Sequence, residues 1–323
     1  MDKIETYCHE EFILQFLDNF IIDPLDNKSK QCNELYELLL RKSEIGIDST
    51  KKLIVRFDNP YAKYLVKMST TGGSIIHEVP HYFENIKENP HDILKDNPCS
   101  LHYLKEHSFK NSSDLGLFLS DLTNYLENTA DISIRPVGIK VHPKPELNEF
   151  FKWSEMKFKL PPRNSIILAD NYLLNNEKRF ENNLFDLLKW ILPTNLLEQD
   201  FHISIITRTG LGNDNTKKYE KIKNFLSTLN RPYSIRLGIF FVTMNKLHDR
   251  ILISNYFRIN VGHSFELLND KGTPNKDTMI HYFPINSESN VSSHFSTIRS
   301  LSNSIKNAEF LGDRENRLLD FYS

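Results

Sequence analysis

Cysteine is scarce in this sequence and forms no pattern that binds or bridges. Cys8, Cys32 and Cys99 are scattered over 323 residues, without C-x-x-C spacing and without an even count. That argues against a zinc site or a disulfide framework and for a reducing, cytoplasmic setting. No apolar run approaches the roughly 20 residues needed to cross a bilayer, so no membrane segment is expected. The opening MDKIETYCHEEF is acidic and lacks the apolar stretch of a secretory signal. No G-x-S-x-G element is present, which removes a Ser-His-Asp hydrolase of that type. Arg208 precedes a glycine-bearing stretch, Thr209-Gly210-Leu211-Gly212, but the G-x-x-x-x-G-K-S/T pattern of a phosphate loop is missing. Arg208 there either contacts phosphate or opens an ordinary strand-to-helix connection. Of the 12 histidines, the pairs His77 and His81, and His102 and His107, lack Cys or acidic partners at ligand spacing. Neither a metal nor another cofactor is expected.

What is present is ordinary for a globular chain, at 39% apolar and 25% charged residues. The net charge of −2 hides an uneven distribution. Residues 1–138 carry 15 Lys and Arg against 22 Asp and Glu, whereas residues 139–260 carry 19 against 12. Such asymmetry marks either a polyanion-facing lobe or an acidic face that docks a basic one.

Periodicity predicts helices over 10–20, 30–41, 61–68 and 115–126, and strands over 53–57, 74–79 and 132–141. Residues 84–112 lack a period and predict an irregular stretch. The four prolines of 142–163 predict a connector between an N-terminal lobe, 1–141, and a C-terminal lobe, 164–323. Beyond it the pattern is cleaner. Strands are predicted over 165–169, 202–207, 234–242 and 250–254, the last two as antiparallel neighbours. Helices are predicted over 184–192, 216–229 and 297–306. This alternation is an α/β layout. Asp170 and Tyr172 end the first of these strands, where ligand sites gather in α/β sheets. Asp170 therefore either faces a pocket or makes an Asx turn.

Residues 247–265 read LHDRILISNYFRINVGHSF. His248 and Arg250 are two apart, Asn255 follows after four residues, and Gly262-His263-Ser264-Phe265 follows after six more. The apolar Ile251-Leu252-Ile253 predicts a buried strand, on which residues two apart share a face. An imidazole beside a permanent cation can attack phosphorus while the guanidinium holds the phosphate oxygens. A turn at Gly262 would bring backbone N–H groups and the Ser264 hydroxyl to the same anion.

This spacing resembles the signature of the phospholipase D superfamily, H-x-K-(x)4-D-(x)6-G-S-x-N, in degenerate form. Arg250 stands at the lysine, Asn255 at the aspartate, and the serine is displaced to Ser264, with Phe265 where the asparagine would be. The resemblance runs from Arg163 onward. It implies an α/β protein: a phospholipase D-like lobe, its mixed sheet flanked by helices, plus an N-terminal α/β lobe. A weak echo, Ser133-Ile134-Arg135 and His142-Pro143-Lys144 against Ser234-Ile235-Arg236 and His248-Asp249-Arg250, is what a diverged second copy would leave.

The resemblance implies a metal-independent phosphodiesterase, and a nuclease above all, because single-motif bacterial relatives carry His-Asp-Arg here and tend to cut nucleic acid. His248 would be the nucleophile, Arg250 and Ser264 would hold the phosphate, and Asn255 would orient the histidine. The acid would come from a homodimer partner across a two-fold axis, or from His263 or His142. The second implied reading is an inactive phospholipase D-like module. It would bind nucleic acid or a protein partner, such as an ATPase in a bacterial defence-type system. The departures at Asn255 and Phe265 point to the second reading, and His248 with Arg250 to the first.

Overall fold

A computed structural model describes residues 2–20, 27–49, 59–71, 75–106, 112–133, 136–144, 152–156, 159–197, 199–209, 214–243, 250–286 and 290–322. The chain divides into two compact units. The first comprises residues 1–112, 116–134 and 285–293, and the second 113–115, 135–284 and 294–323.

The first unit is built on β1 (Ile4–His9), β2 (Ser43–Asp48), β3 (Ile75–Glu78), β4 (Leu101–Tyr103) and β5 (Phe118–Ser120). They pair in the order β3-β2-β1-β4-β5, every neighbour parallel. One face of β1 presents buried Ile4, Thr6 and Cys8. On that side Phe12 and Phe16, from helix Glu10–Asp18, make ring contacts with Tyr103 and Tyr125. On the other face Tyr7 stacks at 4.2 Å on Tyr82 of helix Tyr82–Glu88. A parallel sheet needs this cover on both sides.

Several expectations fail here for local reasons. The stretch 84–112 holds β4, three fully buried residues too short to show a period. The predicted helix 115–126 is instead β5, a turn, and helix Tyr125–Ser133. Asp121 causes the break, because its carboxylate accepts the Thr123 amide at 2.7 Å in an Asx turn. The predicted strand 132–141 shrinks to β6 (Val137–Val141), which joins the sheet of the second unit. The predicted strand 53–57 lies outside the described residues.

The second unit is an eight-stranded sheet among the described residues. Its strands are β6, β7 (Ser165–Ala169), β8 (Phe201–Arg208), β9 (Ile235–Val242), β10 (Ile251–Ser254), β11 (Phe257–Val261), β12 (Thr278–Pro284) and β13 (Glu309–Gly312). The order is β13-β9-β8-β7-β10-β11-β12-β6. β7, β8 and β9 are parallel neighbours, and every other pairing is antiparallel. β7 is buried at all five positions, as an apolar run covered on both faces should be. β11 and β12 alternate buried and more exposed residues, the mark of a half-solvated antiparallel edge region.

Helix Asn215–Thr228 starts at Asp214, whose side chain accepts the Lys217 amide, and stops before Asn230 at φ 46°. Helix Asp186–Ile191 ends where Arg163 donates to the Ile191 carbonyl and Tyr233 to that of Pro193. β10 is not the antiparallel neighbour of β9, as the sequence suggested. It inserts beside β7, with Ile251 opposite Ala169.

The prolines of 142–163 do not make a free connector. Trp153 is 1% exposed and stacks on Trp190 and on Phe265. Nor does the first unit repeat the second, since its all-parallel order differs from the mixed one. The echo residue Gly238 has a packing reason instead, because a Cβ there would lie 2.0 Å from the Asp313 carbonyl oxygen.

Candidate functional site

The register of the second sheet gathers its polar strand ends along one edge. β7 and β8 finish there with Asp170 and Arg208, and β10 starts there with Arg250. β11 runs antiparallel to β10, so its end brings Gly262 and His263 to the same edge. The Val261 amide donates to the Arg250 carbonyl at 3.0 Å, which fixes that alignment.

Asp170 is fully buried and organises the centre. Its Oδ1 accepts the Tyr172 amide at 2.8 Å, so the Asx turn exists. Its Oδ2 accepts the Ser264 hydroxyl at 2.6 Å and the Phe265 amide at 2.7 Å, so the same carboxylate also ties two loops together. Burial pushes this carboxyl above the ordinary carboxylate range, and the three hydrogen bonds and the Arg250 charge pull against it.

Tyr172 projects next to that turn. The Arg208 guanidinium lies 5.4 Å from its ring centre and the Arg250 guanidinium 5.5 Å. Both distances are within cation–π range. Both arginines and the tyrosine are partly exposed. Two permanent cations thus converge on one aromatic ring at the mouth of the sheet. Arg208 also donates to Asn175 Oδ1 at 3.4 Å.

The expected site residues fare differently. Ser264 does reach the edge, but its hydroxyl is committed to Asp170 and its oxygen accepts the Glu266 amide at 3.0 Å. It therefore positions the loop. The Gly262 amide donates to the Met279 carbonyl, continuing the β11–β12 ladder, so it does not serve an anion. His263 is exposed at the end of β11. Asn255 lies past the far end of β10, where Ser254 faces Ile166. There it is fully buried, its Oδ1 accepting the Asn164 and Ser165 amides and its Nδ2 donating to Asn164 Oδ1. It is a backbone clamp four strand residues away from Arg250.

Phe265, where the resembled pattern has an asparagine, packs on Trp153 at 5.6 Å. His142 ends β6 on the same edge, with Nε2 3.6 Å from Asp277 Oδ1. It stands four strands from β7, which at about 4.8 Å per strand is about 19 Å away. His248 and the loop Gly210-Leu211-Gly212 lie outside the described residues.

One network escaped the sequence reading. Arg179 bridges Glu266 at 3.0 Å and Asp270 at 2.6 Å, bracing the segment after Ser264. Burial raises the Glu266 carboxyl, and Arg179 opposes the rise. Its partners are 87 and 91 residues apart in sequence, so no local signal reveals it. Among the described residues no cluster of three or more His, Cys, Asp or Glu side chains could hold a metal ion, and no helix is long and apolar enough to cross a membrane. No protein-family model matches the chain, and no curated protein matches it in sequence.

Proposed function

We propose that the second unit binds a phosphodiester at this edge and cleaves it without a metal, as a nuclease of phospholipase D type. The observation that carries the reading is the convergence of Arg208 and Arg250 on Tyr172. Guanidinium forks suit the paired oxygens of a phosphate, and an aromatic ring beside them offers a stacking surface for a base. His248, two residues before Arg250, is the nucleophile. Its ring nitrogen bonds to phosphorus, the bond from phosphorus to the leaving oxygen breaks, and that oxygen takes the electron pair and a proton. His263, at the end of the neighbouring strand, is the proton donor within the chain, and a second subunit is the other source. Water then attacks the phosphohistidine, releasing the phosphate monoester and restoring the imidazole.

A second reading keeps the binding and drops the chemistry. It is favoured by Ser264, whose hydroxyl is held by Asp170 where the resembled pattern needs a phosphate ligand. Cleavage of labelled single- and double-stranded DNA and RNA in EDTA, with wild type, His248→Ala and Arg250→Ala, separates the two. Chelator-resistant cleavage that disappears in His248→Ala supports the enzyme. Cleavage that requires Mg²⁺ or survives His248→Ala removes the histidine nucleophile. Salt-sensitive binding without cleavage leaves the binding module.

A further inference from the structure

The second sheet keeps part of one face open to solvent, and strand register says which side chains line it. In an antiparallel ladder, paired residues point to the same side. Arg258 pairs with Phe283, His281 with Gly138, and Met279 with Lys140, so all six share one face of β11, β12 and β6. The opposite face of these strands carries Ile259, Val261, Ile280 and Tyr282, all buried in the core. Toward β10 the open face closes, because Ile253, opposite Arg258, is fully buried. What remains open is three strands across, about 10 Å.

Solvated positions of an antiparallel strand ordinarily carry polar groups. Those of β12 read Met279, His281 and Phe283 instead. Met279 is 38% exposed, His281 is exposed, and Phe283 is partly buried beside it. The His281 and Phe283 ring centres lie 6.0 Å apart with their planes inclined by only 28°. The Arg258 guanidinium lies 4.9 Å from the Phe283 ring centre, a cation–π contact that holds the ring in place. Gly138 raises no side chain beside His281, where a Cβ would already lie 3.5 Å from the imidazole Cδ2. Lys140 and Arg258 bring positive charge to the face. The carboxylate at its rim, Asp277, lies 3.6 Å from His142 Nε2. A recess of about 240 Å³, lined by Lys140, His263, Asp277 and Met279 among others, joins this row to the edge where His263 stands.

Neighbouring rings bordered by cations match a chain of nucleobases joined by phosphates. The bases must be unpaired, because in a duplex each base face is covered by its neighbours in the stack. We infer that this face binds single-stranded nucleic acid. Bases stack on His281 and Phe283, phosphates lie at Lys140 and Arg258, and the strand passes over the recess to the edge that holds Arg250. The inference rests on the proposed phosphodiester site for where the strand leads, whereas binding on the face is read apart from cleavage.

The test is fluorescence anisotropy of labelled single-stranded RNA, single-stranded DNA and the matching duplex, with the full chain carrying His248→Ala so that the probe is not consumed. One or both single strands should bind about tenfold or more tighter than the duplex, and the preference between them identifies the sugar that the face accepts. His281→Ala, on the surface, and Phe283→Ala should each weaken single-strand binding about tenfold without changing its salt dependence, as lost stacking does. His281→Trp, which supplies a larger ring, should bind at least as tightly as the histidine. Lys140→Ala should weaken binding and reduce the slope of log affinity against log salt by about 1. If Phe283→Ala fails to melt cooperatively, the two His281 variants decide. The inference is overturned by no binding of either single strand, by the duplex binding equally well, or by full binding in His281→Ala. Full binding in the face variants with loss in Arg250→Ala overturns the face and leaves the edge. Binding that depends on His281, with no cleavage by wild type in EDTA, supports the face and removes the enzyme. A sedimentation shift that His281→Ala abolishes, without oligonucleotide binding, would give the face to a second copy of the chain and overturn the inference.

Discussion

Asp170 and Ser264, 94 residues apart in sequence, meet in a 2.6 Å hydrogen bond at the carboxyl edge of the second sheet. The bond joins the turn that carries Tyr172 to the loop that follows β11. Arg250 enters between these two segments, at the start of β10, so the geometry of the cationic edge depends on a buried carboxylate.

Ser264→Ala removes one of the two donors to Asp170 Oδ2 and the acceptor for the Glu266 amide. The cost expected is about 1–3 kcal/mol, because a buried charged acceptor loses a partner. Urea denaturation measures it through the shift in midpoint. Anion binding should fall only through this loosening. A variant of unchanged stability with anion binding abolished would instead make the hydroxyl a direct ligand.

The protonation of Asp170 gives a pH signature. Burial raises its folded-state pKa above the ordinary value of 3.8, so the folded chain holds this proton to higher pH than the unfolded chain. The carboxyl's contribution to stability is therefore greatest below its unfolded pKa. It declines as pH rises from there through the raised folded value. Asp170→Asn cannot titrate and should lack that decline. Denaturation midpoints of both proteins across that window, compared as a difference, read it out. Parallel profiles would mean the hydrogen bonds and Arg250 cancel the burial.

Asn255→Ala should damage stability and spare the edge. The side chain satisfies the Asn164 and Ser165 amides and donates to Asn164 Oδ1, all buried. Its removal leaves unpaired groups costing about 2–4 kcal/mol together. Affinity for a polyanion, measured where the variant is fully folded, should match wild type. A large affinity loss at unchanged stability would return Asn255 to the site.

How much of this the sequence disclosed depended on how locally each feature is encoded. β7, β8 and β9 are continuous apolar runs between helices with clear caps, such as Asp214 before Asn215–Thr228, and they were legible. β4 and β5 were not, since three-residue strands become strands only through parallel partners in the fold. The pairing of β10 with β7 across 82 residues at Ile251 and Ala169 had no local mark either. At the site, the sequence groups Arg250 and Ser264 in one motif with Asn255, and sets Asp170, Tyr172 and Arg208 at strand ends. The convergence of Arg208 and Arg250 on Tyr172, and the separation of Asn255 from them, come from strand direction, because a residue at the other end of a strand lies on the opposite edge of the sheet. Phe265 and Trp153 show the same limit. A missing motif asparagine and a connector tryptophan are two halves of one stacked pair.

The two arginines should act together. Each lies about one cation–π distance from the Tyr172 ring, 5.4 Å for Arg208 and 5.5 Å for Arg250, so a phosphate at the ring edge is within reach of both. Arg208→Ala and Arg250→Ala should each weaken binding of a fluorescent single-stranded oligonucleotide. Each should also reduce the slope of log affinity against log salt by about 1, the signature of one lost phosphate contact. Because they share a ligand group and a ring, the double variant should lose less than the two single losses combined, a coupling measurable in a double-mutant cycle. Arg250→Lys restores the cation type of the resembled motif but loses the planar fork. It should retain the salt slope while binding more weakly than wild type. Tyr172→Leu should keep the slope too, and lose the part of affinity that comes from stacking, about 1–3 kcal/mol. Salt slopes unaltered in both alanine variants would show that the oligonucleotide binds elsewhere on the basic stretch, and the edge would lose its assignment.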